Sequence, residues 1–198
     1  MPRAALVERF GPSALLALAC LALMTCAPGA FALRREAVIS GEWWRLWSGH
    51  LVHWSSLQAV LDASVVAICG TLAERAFGRA FVAATLLAGA GAIGIICLAT
   101  SSIGEYRGAS ALGVLLGVLA GASLWRDHPA QRGWLAALAV AMSLKTLADA
   151  FVPALTLTQL PSDVRVAWQA HVAGAFAALL ALLLRAVLRD PDPMPDRA

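Results

Sequence analysis

The sequence predicts an all-α polytopic membrane protein built as a six-transmembrane-helix bundle. Hydrophobic residues make up 60% of its 198 residues and charged residues only 14%, whereas soluble globular domains carry about 25% charged residues. The mean hydropathy is +0.75. Six apolar runs each approach the ~20 residues that a helix needs to cross about 30 Å of hydrocarbon. They fit one domain over residues 1–189, and the Pro-rich, charged tail 190–198 is predicted to be disordered.

The six predicted spans cover residues 13–32, 56–74, 80–100, 109–125, 133–152 and 166–188. The first span has two interpretations, because Arg3 and Arg9 precede it and an Ala-Phe-Ala sequence at 30–32 resembles a signal-peptide cleavage site. Its length, and the five spans that follow, favour a retained helix.

The arginines predict that both termini are cytoplasmic. With this orientation nine arginines fall in inner segments and five in outer segments, as the positive-inside rule requires. We expect an integral protein of a bacterial inner membrane. The net charge of +3 comes from loop arginines and indicates no nucleic-acid partner. The four cysteines have no metal-ligand spacing, so we expect neither a metal site nor a cofactor.

Four polar residues fall at one predicted depth in the membrane. The second, fourth and sixth spans run in the same direction, which puts Gln58, Asp62, Ser110 and His171 within roughly 10 Å of the outer, periplasmic interface at 1.5 Å per residue. Polar or ionisable side chains inside a membrane are costly and mark functional sites. This depth is therefore the predicted location of an active site.

Small residues would allow the fourth and sixth spans to approach closely. Ala109, Gly113, Gly117 and Gly121 recur every four residues, and Gly174 follows His171 on the sixth span. Such faces bring transmembrane helices together and would permit the ~3 Å serine–histidine hydrogen bond that a general base requires. The alternatives are that the small residues only pack helices and that the histidine is a structural hydrogen-bond partner.

Serine attack also requires donors for the developing oxyanion. Ser110 opens a predicted helix, so the free amides of Ala109 and Ser110 are candidates, with Gly108 as a supporting residue. Gln58 and Asp62, at i and i+4, share one helix face. The Gln58 amide can donate. Asp62 could contribute if it is protonated, or if it orients Gln58 or a water molecule.

Several motifs follow one another in order over residues 41–178. They are Trp44-Arg45, the histidine-bearing stretch 49–53, the Gly-x-x-x-Glu-Arg element 70–75, Gly108-Ala109-Ser110-Ala111 and Ala170-His171-Val172-Ala173-Gly174. This set resembles the rhomboid intramembrane serine proteases. The resemblance implies a catalytic dyad of Ser110 and His171 that acts, within the lipid bilayer, on transmembrane protein substrates.

Two features are most similar to the rhombosortase branch of that family. These are the Trp-rich start at 41–46 and the Lys145/Asp149 pair, and they imply cleavage of the C-terminal Gly-Gly-containing anchor of exported proteins. Ala111, Gln58 and Asp62 stand where many rhomboids have glycine, histidine and asparagine, the last two stabilising the oxyanion. The alternatives are a catalytically silent rhomboid-like protein that binds membrane helices and a small transporter.

Other polar residues are predicted to have structural roles. His50 and His53 could bind metal, but hydrogen bonding within their loop is the preferred interpretation. Lys145 and Asp149 are expected to neutralise each other. A further set is expected to cap the inner end of the second span and anchor the turn after it: Glu74, Arg75 and Arg79. Four tryptophans are expected to form an interfacial belt: Trp43, Trp44, Trp47 and Trp54.

Overall fold

A computed structural model describes residues 10–25, 28–100, 104–151, 164 and 166–189. Its six longer helices are α1 (Pro12–Ala22), α2 (Ser56–Phe77), α3 (Arg79–Ala99), α4 (Ser110–Asp127), α5 (Arg132–Phe151) and α6 (Trp168–Arg189). Within the described ranges, four of these, α2, α3, α5 and α6, are long and apolar enough to cross a membrane. The predicted class, an all-α polytopic membrane protein, is confirmed. The predicted disordered tail lies outside the described residues.

The first predicted span is longer than the helix that forms. α1 ends at Ala22 and is followed by a 3₁₀ turn, Leu23–Thr25, and a short helix, Pro28–Phe31. Proline lacks the amide hydrogen that continues a helix, so Pro28 begins a new element although the apolar composition runs on. The prediction of one helix over 13–32 is wrong in this respect.

The chain between α1 and α2 packs against the segment that precedes α4. Strands β1 (Leu33–Arg34) and β2 (Glu105–Tyr106) pair antiparallel, with Leu33 opposite Tyr106. Two short helices follow β1, Arg35–Ile39 and Arg45–Ser48. The buried Arg45 guanidinium donates to the Ala32 carbonyl at 2.8 Å and pairs with Glu42 at 2.7 Å. These contacts tie the connecting segments together, and the Arg45–Ser48 helix packs against α3.

α4 lies at the centre of the bundle. It packs most extensively against α6 and α2, and its fully buried residues include Leu112, Leu115, Leu116 and Leu119. Gly113 allows this packing on the α2 side, because an added Cβ would lie 3.1 Å from Val65 Cγ1. α5 is peripheral, and most of its described side chains are exposed. The helix that begins at Ser110 therefore packs against α2, α3 and α6.

The acidic residue near the end of α2 caps a different helix from the one predicted. Glu74 Oε1 accepts a 2.8 Å hydrogen bond from the Ser13 amide in the first turn of α1, where free amides and the helix dipole favour a carboxylate. Gly70 lies beside the same serine, with room for no side chain. Arg79 lies 3.9 Å from Glu74 Oε2 across the α2–α3 turn, so the expected anchoring of that turn is confirmed.

The Lys145–Asp149 pair forms as expected. The Lys145 ammonium donates to Asp149 Oδ1 one turn along α5, and the carboxylate side chain is buried. Trp43, Trp44 and Trp47 are exposed, whereas Trp54 stacks under the Arg107 guanidinium at 4.1 Å from the ring centroid. The interfacial belt itself stays a prediction.

Candidate active site

Ser110 and His171 come together at the start of α4 and α6. Ser110 Oγ lies 2.9 Å from His171 Nε2, and both residues are half-buried. The two residues are 61 positions apart in the sequence, so the contact depends on how the two helices pack. This is hydrogen-bond distance, within the reach that a general base needs to take the proton of a nucleophile.

Gly174 allows α6 to approach α4 closely. A Cβ built on Gly174 would lie 2.2 Å from the Ala111 carbonyl oxygen, far inside van der Waals contact. Gly174 is one helical turn beyond His171, and Ala111 directly follows Ser110. The close approach therefore occurs next to the serine–histidine pair.

The predicted small-residue stripe on α4 is not the surface that faces the histidine. Gly113 faces α2, and a Cβ added at Gly117 or Gly121 would meet no described atom within 4 Å. The contact uses Ala111 instead, which occupies a different face of the helix. The prediction that the four-residue stripe makes the approach is therefore wrong, although Gly174 was correctly placed on the contact face of α6.

The chain before Ser110 turns sharply at Gly108. Its φ is +125°, a region that favours glycine, and an added Cβ would lie 2.7 Å from Gln58 Nε2. The Gly108 amide donates to the Gly49 carbonyl at 3.1 Å. Both the backbone conformation and the close approach of Gln58 thus require glycine here, which supports the predicted site role of Gly108.

The cap of α2 fixes the Gln58 side chain. The Ser55 hydroxyl accepts from the Gln58 amide at 3.1 Å, and Gln58 Oε1 accepts from the Trp54 amide at 2.9 Å. This is close to the capping box in which an N-cap serine pairs with a glutamine three residues later. With its oxygen engaged, Gln58 presents Nε2 toward Gly108. The Ser-x-x-Gln signal was present in the sequence and would have predicted this orientation.

Asp62 engages the residue that precedes the serine. Its Oδ2 accepts from the Ala109 amide at 3.0 Å and lies 3.1 Å from His53 Nε2. The Ala109 amide was a candidate oxyanion donor, but it already has an acceptor in Asp62. The Ser110 amide is the first in the α4 helix and needs no intrahelical acceptor. The Ser110 backbone amide and the side-chain amide of Gln58 are therefore the two candidate oxyanion donors that remain.

His50 and Tyr106 brace the same segment from the other side. The Tyr106 hydroxyl donates to the Gly108 carbonyl at 2.9 Å and lies 3.3 Å from His50 Nδ1, while His50 Nε2 lies 3.1 Å from the Ala90 carbonyl. Burial lowers the pKa of His50 to about 4 and raises the pKa of Tyr106 well above its usual range. At neutral pH the ring is uncharged and the hydroxyl keeps its proton.

The two loop histidines thus make structural hydrogen bonds, but not within their own loop. His50 contacts α3 and Tyr106, and His53 contacts Asp62 on α2. In the described part of the chain no group of three or more His, Cys, Asp or Glu side chains is arranged to hold a metal ion. The sequence analysis missed the contacts of Tyr106 with Gly108 and His50 and the contact of His53 with Asp62, because none of these residue pairs has a recognisable sequence spacing.

The fold and these contacts define an integral membrane protein with a serine–histidine pair at the start of two packed helices. The Rhomboid domain family matches residues 40–187, so the chain belongs to the rhomboid family, whose members are generally intramembrane serine proteases. A search of curated proteins found no matching sequence. The family match extends slightly beyond the 41–178 range that the motifs covered.

Proposed function

We propose that this chain is an intramembrane serine endopeptidase that uses Ser110 as nucleophile and His171 as general base. The observation that carries the proposal is the 2.9 Å separation of Ser110 Oγ and His171 Nε2. His171 accepts the hydroxyl proton as Oγ attacks the scissile carbonyl, and then returns it to the leaving amine nitrogen. Water repeats the sequence on the acyl-enzyme, releasing the new carboxylate and restoring Ser110.

The oxyanion of the tetrahedral intermediate is stabilised by the Ser110 amide and by Gln58 Nε2. Support comes from the free position of the Ser110 amide in the first turn of α4 and from Gln58 Nε2, which approaches Gly108. Preorganised donors of this kind account for a large part of acyl-transfer catalysis. The Ala109 amide and Asp62 support the site but do not touch the oxyanion.

The substrates we propose are exported proteins with a transmembrane anchor, cleaved in or near that anchor. The similarity of residues 41–46 and of the Lys145–Asp149 pair to the rhombosortase branch favours C-terminal anchors that contain Gly-Gly. With the termini cytoplasmic, as the arginines indicate, the site opens near the periplasmic side of a bacterial inner membrane.

Co-expression with a reporter that carries a C-terminal Gly-Gly anchor tests activity and substrate class together. We expect wild-type protein to shorten the reporter at the anchor, and Ser110→Ala and His171→Ala to leave it intact at equal expression. A matched reporter with Ala-Ala in place of Gly-Gly separates the two claims. Equal cleavage of both reporters would contradict the Gly-Gly preference alone.

A silent helix-binding protein is the second candidate, because Ala111, Gln58 and Asp62 differ from residues common in the family. Its expected result is different: the reporter stays full length but co-purifies with the wild-type protein and with Ser110→Ala alike. That outcome, with correctly folded protein, would contradict the protease assignment.

A further inference from the structure

The peptide unit between Gly108 and Ala109 is held at both of its polar groups. Its carbonyl oxygen accepts from the Tyr106 hydroxyl at 2.9 Å, and its amide donates to Asp62 Oδ2 at 3.0 Å. Tyr106, Asp62 and Ala109 are all buried. A peptide unit with both groups bonded to buried side chains cannot rotate without breaking two hydrogen bonds, and each buried bond is costly to leave unmade.

His53 completes the arrangement around Asp62. Its Nε2 lies 3.1 Å from the same Oδ2 that accepts the Ala109 amide, and 3.3 Å from the Ala109 nitrogen. The Ala109 amide therefore points at both members of the His53–Asp62 pair. His53 Nδ1 is buried and has no hydrogen-bond partner among the described residues. The ring is thus directed at Asp62 through one nitrogen.

We propose that Asp62 and His53 are positioning residues that lock the Gly108–Ala109 peptide and thereby fix Ser110 relative to Gln58, the side-chain oxyanion donor. We call the hydrogen-bonded group of Asp62 and His53 at this peptide the clamp. Asp62 lies one helical turn beyond Gln58 on α2, so one rigid helix carries both the carboxyl group of the clamp and the side-chain amide of Gln58. The clamp fixes the distance between Gln58 Nε2 and the start of α4. The inference rests on the proposed function for its catalytic consequence, but not for the clamp itself.

The geometry favours this role over a direct role of Asp62 at the oxyanion. Oδ2 faces a backbone donor, which requires it to act as an acceptor, whereas an oxyanion needs a donor. Asparagine at this position could still accept the Ala109 amide through its side-chain oxygen. Leucine, of similar size, could not.

The rate of reaction of Ser110 with a fluorophosphonate tests the catalytic consequence in detergent-purified full-length protein. We expect Asp62→Leu to lower the maximal labelling rate about 10- to 100-fold, the range for leaving a buried hydrogen-bond donor without its acceptor. The fluorophosphonate concentration at half-maximal rate should not change. Asp62→Asn should restore most of the rate. Leu61→Ala, at a neighbouring exposed position on α2, is the matched control and should label as wild type.

A double-mutant cycle separates the clamp from an oxyanion role. If His53 acts through Asp62, His53→Leu should lower the rate, and adding it to Asp62→Leu should cause little further loss. A wild-type rate in His53→Leu, or losses that multiply in the double variant, would overturn the proposal. Labelling by Asp62→Asn that is faster than wild type would also overturn it and indicate a donor at the oxyanion.

Hydrogen–deuterium exchange of the peptide that spans residues 105–112 tests the clamp independently of activity. Slow exchange in wild type and Asp62→Asn, with fast exchange in Asp62→Leu, is the expected result. Equal exchange in all three would refute the clamp. If wild type does not label but the exchange difference is present, the proposed protease function fails and the clamp remains.

Discussion

Replacing Gly174 by alanine tests how closely activity depends on the approach of α6 to α4. The new Cβ would lie 2.2 Å from the Ala111 carbonyl oxygen, whereas ordinary van der Waals contact begins at 3.4 Å. The helices must therefore separate by about 1 Å at this point. His171, one turn away on the same helix, moves with Gly174 and away from Ser110.

A displacement of this size should lower the catalytic rate strongly. A misplacement of about 1 Å can cost ~10²-fold in rate, so we expect Gly174→Ala to lower kcat for reporter cleavage by roughly that factor. The Ser110–His171 contact of 2.9 Å would lengthen beyond hydrogen-bond distance. The assay is cleavage of a reconstituted reporter, with thermal unfolding measured on the same samples to establish that the variant is folded.

Gly117→Ala and Gly121→Ala on α4 are the matched controls. Their added methyl groups meet no described atom within 4 Å, and alanine in place of glycine in a helix stabilises by about 0.5–1 kcal/mol. Both should keep wild-type kcat. A folded Gly174→Ala variant with wild-type kcat would refute the reasoning, because the helix approach would then not determine the geometry of the pair.

Three further outcomes are expected. Gln58→Ala should lower kcat about 10²- to 10³-fold through loss of an oxyanion donor, whereas Leu57→Ala should not; equal effects would remove Gln58 from the site. The folded-state pKa of His50 is lowered from 6.5 to about 4. The contribution of neutral His50 to the stability of the fold is therefore complete above pH 6.5 and is lost as the pH falls toward 4. Unfolding free energies in detergent should therefore drop by about 3 kcal/mol across this window, and a drop of the same size in His50→Gln would exclude His50 as the cause. Lys145→Met should destabilise by about 1–3 kcal/mol because buried Asp149 loses its partner, and Lys145→Met/Asp149→Leu should recover much of that stability; no recovery would show that the pair is not the cause.

The sequence predicted the helices well because apolar runs in a membrane protein are bounded by charged or helix-breaking residues. The bounds of α2 to α6 lie within a few residues of the predicted spans. α1 was predicted too long, since apolar composition continues past Ala22 while Pro28 starts a new helix. Hydropathy detects lipid compatibility, but it does not detect where backbone hydrogen bonding stops.

The contact between Ser110 and His171 could be predicted from the sequence because polar residues are rare in such spans and the depths of these two coincide. Their partners could not be found in this way. The stripe through Gly117 and Gly121 has suitable spacing, but spacing does not tell which neighbour a face meets, and the contact with Gly174 uses Ala111. The Ala109 amide looked free because a helix start leaves its amides unpaired, and only the tertiary structure brings Asp62 to it.

Mapping the covalent adduct of a fluorophosphonate by mass spectrometry tests the central claim most directly. In folded wild-type protein we expect one adduct on Ser110, and in His171→Ala a folded protein with no adduct. The matched control is Val172→Ala, which changes an exposed side chain next to the histidine and should label as wild type. An unlabelled, folded wild type, or an adduct at another serine that persists in Ser110→Ala, would contradict a Ser110–His171 catalytic pair.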